Sequence, residues 1–303
     1  MTKPFILQFT VSENEHGMLL RDFLLQNHIS KTALTDIKYH GGKITVNRTE
    51  KNVRYLLQKC DIITVQFPPE TCGNRMTADA IPLTIVYEDD YILVVQKPAG
   101  MSTIPSREHP SCTLANAVMY YYEQIAHAGT VHFVTRLDYD TSGLVLIAKH
   151  RHIHHLLSLA QEKQSIVKEY FAMIAGQITP PEGRIDLPIA RVNNSIIKRE
   201  VRRDGQPAST LYKTVQTFQT GKRICSLMRL QLLTGRTHQI RVHMAALGHP
   251  LLGDALYDGD CTLIARQALH CCFLQFSHPV TQELLQFEST LPEDLLQIIS
   301  PNV

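Results

Sequence analysis

Three charged residues alternate along one short segment, directly before an apolar run. In VTRLDYDTSGLVLIAK, residues 134 to 149, they are Arg136, Asp138 and Asp140. A carboxylate in the approach to a buried strand is costly unless a cation or hydrogen-bond donors accompany it. One interpretation is a loop ion pair with Asp140 as a turn former, and spacing alone favours it. The other is a loop that presents Asp138 to a cleft, with Arg136 as its partner.

A second chemically suggestive segment is LLTGRTHQIRVHMAALGHPLLGD, residues 232 to 254. Its pattern predicts a helix that Thr237 caps, that runs to Leu247 and that Gly248 stops. Three apolar residues would form its buried face: Ile240, Met244 and Leu247.

Two arginines, Arg236 and Arg241, fall at or near the start of this helix. The helix dipole disfavours cations there, so the pair invites an anion. That anion could be a phosphate or a carboxylate such as Asp138. The alternative is a helix start that tolerates two solvated arginines.

Tyr170 lies in KEYFAMIAG, residues 168 to 176. We interpret this segment as a central strand, because both of its faces are largely apolar. A buried tyrosine hydroxyl needs a hydrogen-bond partner. The residue is therefore either an active-site phenol or a core tyrosine bonded to the backbone, and the second is the more common case.

Other chemistries find little support in the sequence. Four histidines cluster in one segment: His150, His152, His154 and His155. Neither a nearby cysteine nor an H-E-x-x-H pattern accompanies them, so we predict no metal site. The sequence has no P-loop, G-x-G-x-x-G or G-x-S-x-G, which argues against nucleotide hydrolysis, hydride transfer and α/β-hydrolase chemistry.

The elements that must position these residues fall into two units. In the first, residues 17 to 29 and 30 to 40 show helical spacing, with Ser30 as the N-cap of the second helix and Gly41 at its end. Residues 41 to 67 alternate apolar and polar side chains around an Asn-Arg turn, which indicates short strands. We therefore predict a compact unit of two helices and a small sheet.

This first unit is more basic than the chain as a whole. Residues 15 to 67 hold eight lysines and arginines against five acids, a net charge of +3, whereas all 303 residues together carry +2. Lys31 and Lys38 lie about two turns apart on the second helix and share a face. Charge alone favours an ordinary solvated surface, and any nucleic-acid site must be a local patch.

The second unit follows residues 68 to 82, which have three prolines and no periodicity and which we interpret as a linker. LTIVYEDDYILVVQKPAG then indicates two strands around an Asp-Asp turn. TLANAVMYYYEQIAHAG indicates an amphipathic helix with Thr113 as its cap and Gly129 as its stop. With GLVLIAK and KEYFAMIAG as strands, we predict a mixed α/β unit with a substantial sheet.

Cysteine usage and hydropathy indicate the cellular compartment of the protein. The seven cysteines form no C-x-x-C pair and follow no regular spacing, which suggests reduced thiols in a cytosol. No run approaches the roughly 18 apolar residues of a membrane span, and the N-terminus lacks the apolar core of a signal peptide. We expect a cytoplasmic protein without a membrane partner.

Taken together, the segments resemble a known enzyme family. TRLDYDTSGLVLIAK, KEYFAMIAG and LLTGRTHQIRVHMAALGHPLLGD, with VVQKPAGMSTIPS upstream, are similar to the RluA/RluD-type pseudouridine synthases over about residues 84 to 280. LLRDFLLQNHISKTALTDIKYHGGKITVNRTEKNV resembles, more loosely, the S-four-type RNA-binding domain that many of these enzymes carry in front.

The resemblance implies an α+β fold in two domains. A catalytic domain with a mixed, mostly antiparallel sheet would occupy residues 83 to 300. A small N-terminal α/β RNA-binding domain would occupy residues 12 to 67, and residues 68 to 82 would join the two.

The family isomerises uridine to pseudouridine in structured RNA, and the resemblance assigns roles residue by residue. Asp138 resembles the catalytic aspartate, Arg136 the arginine two positions before it, Tyr170 the active-site tyrosine, and Arg241 the arginine that pairs with the aspartate. The family usually has His-Arg-Leu-Asp, but this chain has Thr135 in the first position. In related structures that histidine is associated with RNA and base flipping, so Thr135 bears on RNA engagement more than on chemistry.

The implied substrate contacts are Thr135, Arg236, Lys31, Lys38 and Lys43, with Arg236 near flanking phosphates and the lysines adding salt-sensitive affinity. A carboxylate would attack the anomeric carbon or remove a ribose proton, and both routes need it ionised. The reaction is redox-neutral and transfers no external group, so we expect no cofactor. We expect ribosomal RNA of the large subunit as substrate, transfer RNA as an alternative, and a monomer.

Two other functions remain open. The same fold could serve a non-catalytic RNA-binding or ribosome-assembly protein, for which Thr135 is the best support. A glycosidic-bond hydrolase would need a second carboxylate to activate water, and Asp140 or Asp254 is the nearby candidate. The products formed on RNA would separate the three functions: an isomer, nothing, or a free base.

Overall fold

The computed structural model describes residues 4–70, 76–221 and 223–300. Within them the chain forms six α-helices: α1 Leu20–Gln26, α2 Lys31–Tyr39, α3 Leu114–Gln124, α4 Arg151–Glu162, α5 Gln239–Ala246 and α6 Glu293–Ile299. The strands of the same residues are β1 Ile6–Thr10, β2 Lys43–Val46, β3 Thr49–Glu50, β4 Ile62–Gln66, β5 Thr84–Glu88, β6 Ile92–Lys97, β7 His132–Phe133, β8 Ser142–Ala148, β9 Val167–Ala175, β10 Glu182–Asp186, β11 Ile189–Arg191, β12 Arg199–Val201, β13 Ser209–Thr220, β14 Arg223–Leu232, β15 Leu269–Ser277 and β16 Leu284–Glu288.

The first unit is an antiparallel sheet of four strands, in the order β1-β4-β2-β3, packed against α1 and α2. The predicted helix cap is confirmed, since the Ser30 hydroxyl accepts a hydrogen bond from the Ala33 backbone N–H at 3.1 Å. The Asn-Arg turn is confirmed as well. Asn47 and Arg48 both have positive φ, +49° and +67°, as the tight turn between two antiparallel strands requires.

One strand of this sheet has no counterpart in the sequence prediction. Strand β1 lies ahead of residue 12, where the pattern places the start of the first domain, and it pairs antiparallel with β4. Only Leu7 is fully buried along it. A single buried position gives too little alternation to mark a strand, so tertiary pairing decides its structure.

The second unit is built on one large sheet, with the strand path β10-β13-β14-β9-β15-β8-β6-β5; β16 also pairs with β15, and β7 with β8. Among the described strands every pairing in this sheet is antiparallel except that of β15 with β8. The predicted α+β class with a mixed, mostly antiparallel sheet is therefore confirmed. The central position of β9 agrees with the apolar character of both its faces.

Strand β8 begins with a close approach of two backbones. Gly143 pairs with Cys271 of β15 and has φ +118°, and a side-chain carbon at this position would overlap the backbone carbonyl and nitrogen of Cys271. Only glycine fits here. This glycine therefore fixes where the loop before β8 enters the sheet.

Helix α5 departs from its predicted start and from its predicted buried face. The residue before its first turn is His238 in a left-handed conformation, and Thr237 is not the cap. The side chain of Gln239 ties the turn together, because its amide oxygen accepts hydrogen bonds from the Thr234 hydroxyl and the Arg236 N–H. Leu247, predicted to be buried, lies beyond the helix end and is 39% exposed.

Most of α5 is enclosed, so a single apolar face does not describe it. Its buried residues are Gln239, Ile240, Arg241, Val242, His243 and Met244. Polar members of this set have partners; His243, for example, meets the Thr210 hydroxyl and the Leu187 carbonyl. A helix packed on all sides positions its side chains more rigidly than a surface helix does.

The two units pack directly against each other. The ring of Phe5 stacks on His150 with centroids 3.9 Å apart. The Glu70 carboxylate accepts a hydrogen bond from the Arg151 N–H at 2.7 Å and lies 2.7 Å from His132 Nε2. Burial opposes the charge of Glu70, but these hydrogen bonds outweigh it and lower its pKa to about 2.

Part of the predicted linker, residues 71–75, lies outside the described residues. The described part after it is held along the second unit. The Thr77 carbonyl accepts a hydrogen bond from the Asn116 side chain, and the Asp79 carboxylate accepts one from the Cys112 N–H, each at 2.7 Å. In the same described residues, no helix is long and apolar enough to cross a membrane.

Candidate active site

A cavity of about 500 Å³ opens where the loop before β8, strand β9 and the start of α5 meet. It collects six of the nine residues that the sequence singled out: Thr135, Arg136, Asp138, Tyr170, Arg236 and Arg241. The three lysines of the first unit do not line it. The segments concerned are far apart in sequence, so only the sheet topology brings these side chains together.

Asp138 projects from a loop that is anchored on both sides. The hydroxyl of Thr103 donates to the Leu137 carbonyl at 2.7 Å and accepts from the Leu137 N–H. The Thr141 N–H closes a turn onto the Asp138 carbonyl at 3.1 Å. The carboxylate itself is 30% exposed and faces the cavity. The loop thus presents a half-buried carboxylate to a solvent-filled cleft.

A fully buried lysine, Lys97, also holds the loop that carries Asp138. Lys97 Nζ donates hydrogen bonds to the backbone carbonyls of Pro98, Met101 and Tyr139 at 2.9, 2.6 and 3.0 Å. Burial lowers the pKa of Lys97 to about 7, although the charges of Asp138 and Asp140 act in the opposite direction. In the sequence this lysine stands within VVQKPAGMSTIPS, with no role assigned to it. A charged residue at the end of an apolar strand was the available signal.

The charged partner of Asp138 is Arg241, whose Nη1 lies 3.4 Å from Asp138 Oδ2. The rest of the guanidinium is held by Asp254, with Nε to Oδ2 and Nη2 to Oδ1 both at 2.7 Å. Asp254 is 1% exposed. Burial opposes the charge of Arg241, but the hydrogen bonds and charge of Asp254, with the charge of Asp138, leave its pKa raised. One buried arginine is therefore shared by two carboxylates.

Arg136 does not form the ion pair with Asp138 that the sequence suggested. It is exposed on the cavity wall, and within the described residues it has no hydrogen bond or ion pair. Arg241 reaches the carboxylate from α5 and occupies that place instead. Arg136 is consequently free to meet a ligand at the mouth of the cavity.

Tyr170 stands in the cavity wall on β9 and is 5% exposed. Burial, followed by its contact with the Cys271 thiol and by the charge of Asp138, raises the pKa of the phenol well above its usual value. The hydroxyl is therefore protonated at neutral pH.

Thr135 and Arg236 hold different places in the wall. Thr135 is buried, and its hydroxyl accepts a hydrogen bond from the Leu146 N–H at 2.9 Å, which ties the loop to β8. Arg236 is exposed at the rim, where its Nε donates to the Pro207 carbonyl at 3.1 Å. The threonine thus has a structural bond, whereas the arginine retains donors that face solvent.

His238 and Tyr257 belong to the site, and sequence reasoning missed both. His238 Nε2 lies 3.8 Å from Asp138 Oδ2, and its Nδ1 lies 3.0 Å from the Tyr257 hydroxyl. Tyr257 ends a short 3-10 helix after α5, Ala255–Tyr257, and no motif in the sequence points to a role for it. The adjacency of His238 to the two arginines was the only signal for the histidine.

The lysines of the first unit lie on its exposed surface. Lys31 and Lys38 are exposed on α2, and Lys38 Nζ lies 4.9 Å from the centre of the Tyr39 ring. Lys43 on β2 approaches Glu50 at 3.9 Å. Over the described residues, no group of three or more histidine, cysteine, aspartate or glutamate side chains is placed to hold a metal ion.

Comparison with known proteins agrees with this architecture. Residues 91–246 match the family model described as RNA pseudouridylate synthase. The chain is 45% identical over 283 residues to the uncharacterised RNA pseudouridine synthase YjbO of Bacillus subtilis, covering 93% of this chain and 98% of that protein. It is 36% identical over 313 residues to the ribosomal large subunit pseudouridine synthase D of Vibrio parahaemolyticus, covering 98% and 94% respectively.

Among solved structures, the human RNA pseudouridylate synthase domain containing 1 superposes with a TM-score of 0.60 at 24% identity, over 74% of this chain and 89% of that one. The fold is therefore that of the pseudouridine synthases. On the family match and the identities over nearly its whole length, the chain belongs to the RNA pseudouridylate synthase family, of the RluA/RluD type that its motifs predicted. It is an RNA pseudouridine synthase.

Proposed function

We propose that this enzyme isomerises uridine within large-subunit ribosomal RNA and that Asp138 is its catalytic carboxylate. The observation that carries the proposal is the position of Asp138, half-buried in the cavity with a guanidinium at 3.4 Å. The substrate class rests on a relative, 36% identical, that is named for the large ribosomal subunit. Transfer RNA is the alternative substrate.

The chemistry requires a carboxylate and no external group. The bond between uracil N1 and ribose C1′ breaks, the base turns, and a bond forms between C5 and C1′, while the C5 proton leaves and N1 gains one. Asp138 either attacks C1′ or removes the proton on C2′, and it must be ionised for both. The guanidinium of Arg241 complements that negative charge. We expect no cofactor to take part.

Tyr170 suits a role in binding the base more than a role as a proton acceptor. Its hydroxyl is buried and protonated, so it offers the uracil a ring face and a hydrogen-bond donor. The phenolate needed to accept the C5 proton is disfavoured by the same burial. A flipped uridine would therefore lie between Asp138 and Tyr170.

The exposed arginines suit the RNA backbone. Arg136 and Arg236 flank the mouth of the cavity and retain donors that face solvent. Flipping a stacked base out of RNA leaves its flanking phosphates near that rim. The buried Thr135 is better suited to holding the loop than to touching RNA. Lys31, Lys38 and Lys43 would add affinity from the first domain, and we propose a monomer.

The hydrolase alternative loses support from the same contacts. Asp254 is buried and gives both carboxylate oxygens to Arg241, so it is not placed to activate water. Asp140 does not line the cavity. A second carboxylate with access to the reacting carbon is thus missing among the described residues.

Mapping of pseudouridine in total RNA tests the proposal. Cells that lack the gene would receive the wild-type protein, Asp138→Asn, or Asp140→Asn as a matched control two residues away. We expect at least one ribosomal uridine to be modified with the wild-type and control proteins, and modification to fall by roughly a thousandfold with Asp138→Asn. Equal modification by Asp138→Asn would contradict the mechanism, and a site in transfer RNA would correct the substrate.

A further inference from the structure

The two oxygens of the Asp138 carboxylate have different surroundings. Both Arg241 Nη1, at 3.4 Å, and His238 Nε2, at 3.8 Å, make their closest approach to Oδ2. No hydrogen bond from the described residues reaches Oδ1. A carboxylate oxygen that is already occupied by donors is the weaker nucleophile and base, so Oδ1 is the oxygen available to the ribose.

The ring of His238 is held in one orientation. The residue has left-handed φ and ψ angles of +56° and 21° directly before α5, a conformation that costs a non-glycine residue free energy. Its side chain is only 10% exposed, and it meets the Tyr257 ring edge-to-face with an interplanar angle of 88°. Strained backbone and close packing together aim Nε2 at Asp138.

The hydrogen-bond directions fix which ring nitrogen carries the proton. The Arg199 backbone N–H donates to the Tyr257 hydroxyl oxygen at 3.0 Å. Within the described residues, the acceptor for the hydroxyl proton is His238 Nδ1, also at 3.0 Å. Nδ1 therefore accepts, and the proton of a neutral imidazole lies on Nε2, on the side of Asp138.

Four charged groups and one hydroxyl face this imidazole from the elements around it. They are Asp138 on the loop before β8, Arg241 on α5, Asp254 after α5, Arg199 on β12, and the Tyr257 hydroxyl. Burial lowers the pKa of His238, while the charge of Asp138 acts in the opposite direction. The ring is therefore neutral at pH 7, and its tautomer decides whether Asp138 has a second donor.

We propose that His238 is a positioning residue for the isomerisation: its Nε2–H, set by Tyr257, holds Asp138 by Oδ2 and turns Oδ1 towards the ribose of the substrate. The inference rests on the proposed role of Asp138. At 3.8 Å the two atoms are beyond hydrogen-bond distance, and the bond closes in the substrate complex, where catalytic hydrogen bonds shorten. Tyr257 does not contact Asp138 itself; it acts by setting the tautomer of His238.

Two variants separate this role from a merely structural one. Tyr257→Phe keeps the ring that packs on His238 but removes the hydroxyl, so the neutral imidazole is free to place its proton on Nδ1. His238→Asn removes the titratable ring and tolerates the left-handed backbone, but its shorter amide stops near the place of Nδ1 and brings no donor to Asp138. The substrate would be total RNA from cells that lack the gene and were grown with 5-tritiated uridine, since formation of pseudouridine releases the C5 tritium.

Single-turnover tritium release with excess enzyme gives the rate, and filter binding to the same RNA gives Kd. At pH 8 we expect Tyr257→Phe to slow tritium release by roughly tenfold or more, with Kd nearly unchanged. Loss of a group that orients a functional histidine by a hydrogen bond has an effect of this size in metal sites. Once the pH is low enough to protonate the imidazole, the ring carries a proton on both nitrogens. The rate of Tyr257→Phe relative to wild type should then recover, whereas that of His238→Asn should stay low at every pH.

Each other outcome is decisive. A Tyr257→Phe enzyme as fast as wild type at pH 8, or one whose loss lies in Kd and not in the rate, would overturn the positioning role. If the wild-type protein is active, Asp138→Asn is inactive and His238→Asn is fully active, this inference is rejected and the proposed function stands. A wild-type protein that releases no tritium would reject the proposed function and this inference with it. Circular-dichroism melting curves for each variant check that the protein is folded.

Discussion

At the scale of single residues, the site depends on how one buried arginine is shared between two carboxylates. Arg241 gives two hydrogen bonds to the enclosed Asp254 and approaches Asp138 through its remaining nitrogen. A buried charge that loses its partner is strongly unfavourable, whereas an intact buried pair adds little stability. Asp254 thus compensates the buried charge of Arg241 and keeps the guanidinium in place, even though it has no access to the substrate.

Asp254→Asn should therefore destabilise the protein. The amide can accept one hydrogen bond from the guanidinium but offers no compensating charge, so we expect the free energy of unfolding to fall by about 3 kcal/mol. Urea denaturation followed by circular dichroism measures the change. Asp204→Asn is the matched control, because Asp204 pairs with Arg202 on the surface and its loss should change stability little. Similar losses in the two variants would contradict the argument.

The residues of the site were accessible from sequence to different degrees. Asp138, Tyr170 and Arg241 stand in recognisable motifs, and the structure brings all three to one cavity. Local spacing pointed to Arg136 as the partner of Asp138, because a neighbour in sequence is the simplest source of charge. The role of Tyr257 and the bond from Lys97 to the Tyr139 carbonyl arise from long-range contacts, which periodicity and spacing do not encode.

At the scale of the elements, strand β8 sets the position of the loop that carries Asp138. Its first residues form the sole parallel pairing among the described strands of the large sheet. That pairing requires the backbone of β15 to pass directly over Gly143, which has a positive φ. A small displacement there would move Asp138, five residues earlier, relative to Arg241 on α5.

Gly143→Ala should be costly for two separate reasons. The new methyl group would overlap the Cys271 backbone, and alanine disfavours a φ of +118°. We expect a loss of about 3 kcal/mol or more in the free energy of unfolding, measured by urea denaturation. Gly17→Ala isolates the second reason, since φ there is +79° with no atom within 4 Å of the added carbon. It should cost about 1 kcal/mol, and equal costs would show that the overlap with β15 is relieved.

Element types were predicted better than element edges. The Ser30 cap, the Asn-Arg turn and the central strand β9 follow from local side-chain chemistry or from a long apolar pattern, and the structure contains all of them. The start of α5 was misplaced because Gln239, rather than Thr237, organises the preceding turn. Strand β1 was missed because its pairing with β4, and not its own pattern, makes it a strand.

At the scale of the whole molecule, the basic surface of the first domain can be tested by its response to salt. Replacing Lys31, Lys38 and Lys43 together by glutamine should weaken binding to ribosomal RNA. Each lost phosphate contact lowers the slope of log affinity against log salt concentration by roughly 0.7 to 0.9, so the slope should fall by roughly two. Filter binding over a series of potassium chloride concentrations measures it.

The matching control removes the same charge elsewhere. Lys163, Arg184 and Lys213 are exposed on the catalytic domain and do not line the cavity. Glutamine at these three positions should leave the slope nearly unchanged. If both triple variants flatten the salt dependence equally, the affinity comes from overall charge and the first domain has no special part in it.

If the lysines of α2 bind RNA as proposed, the packing of the first domain on the second limits which RNAs fit the enzyme. The stacking of Phe5 on His150 and the ion pair between Arg151 and Asp36 of α2, 2.9 Å apart, hold the two domains together. The distance between the α2 lysines and the cavity is then fixed by the fold of the protein. An RNA that contacts the α2 lysines and the cavity at once must hold its target uridine at that distance from the phosphates that the lysines bind. Selection would then follow the folded shape of the RNA more than the bases beside the target.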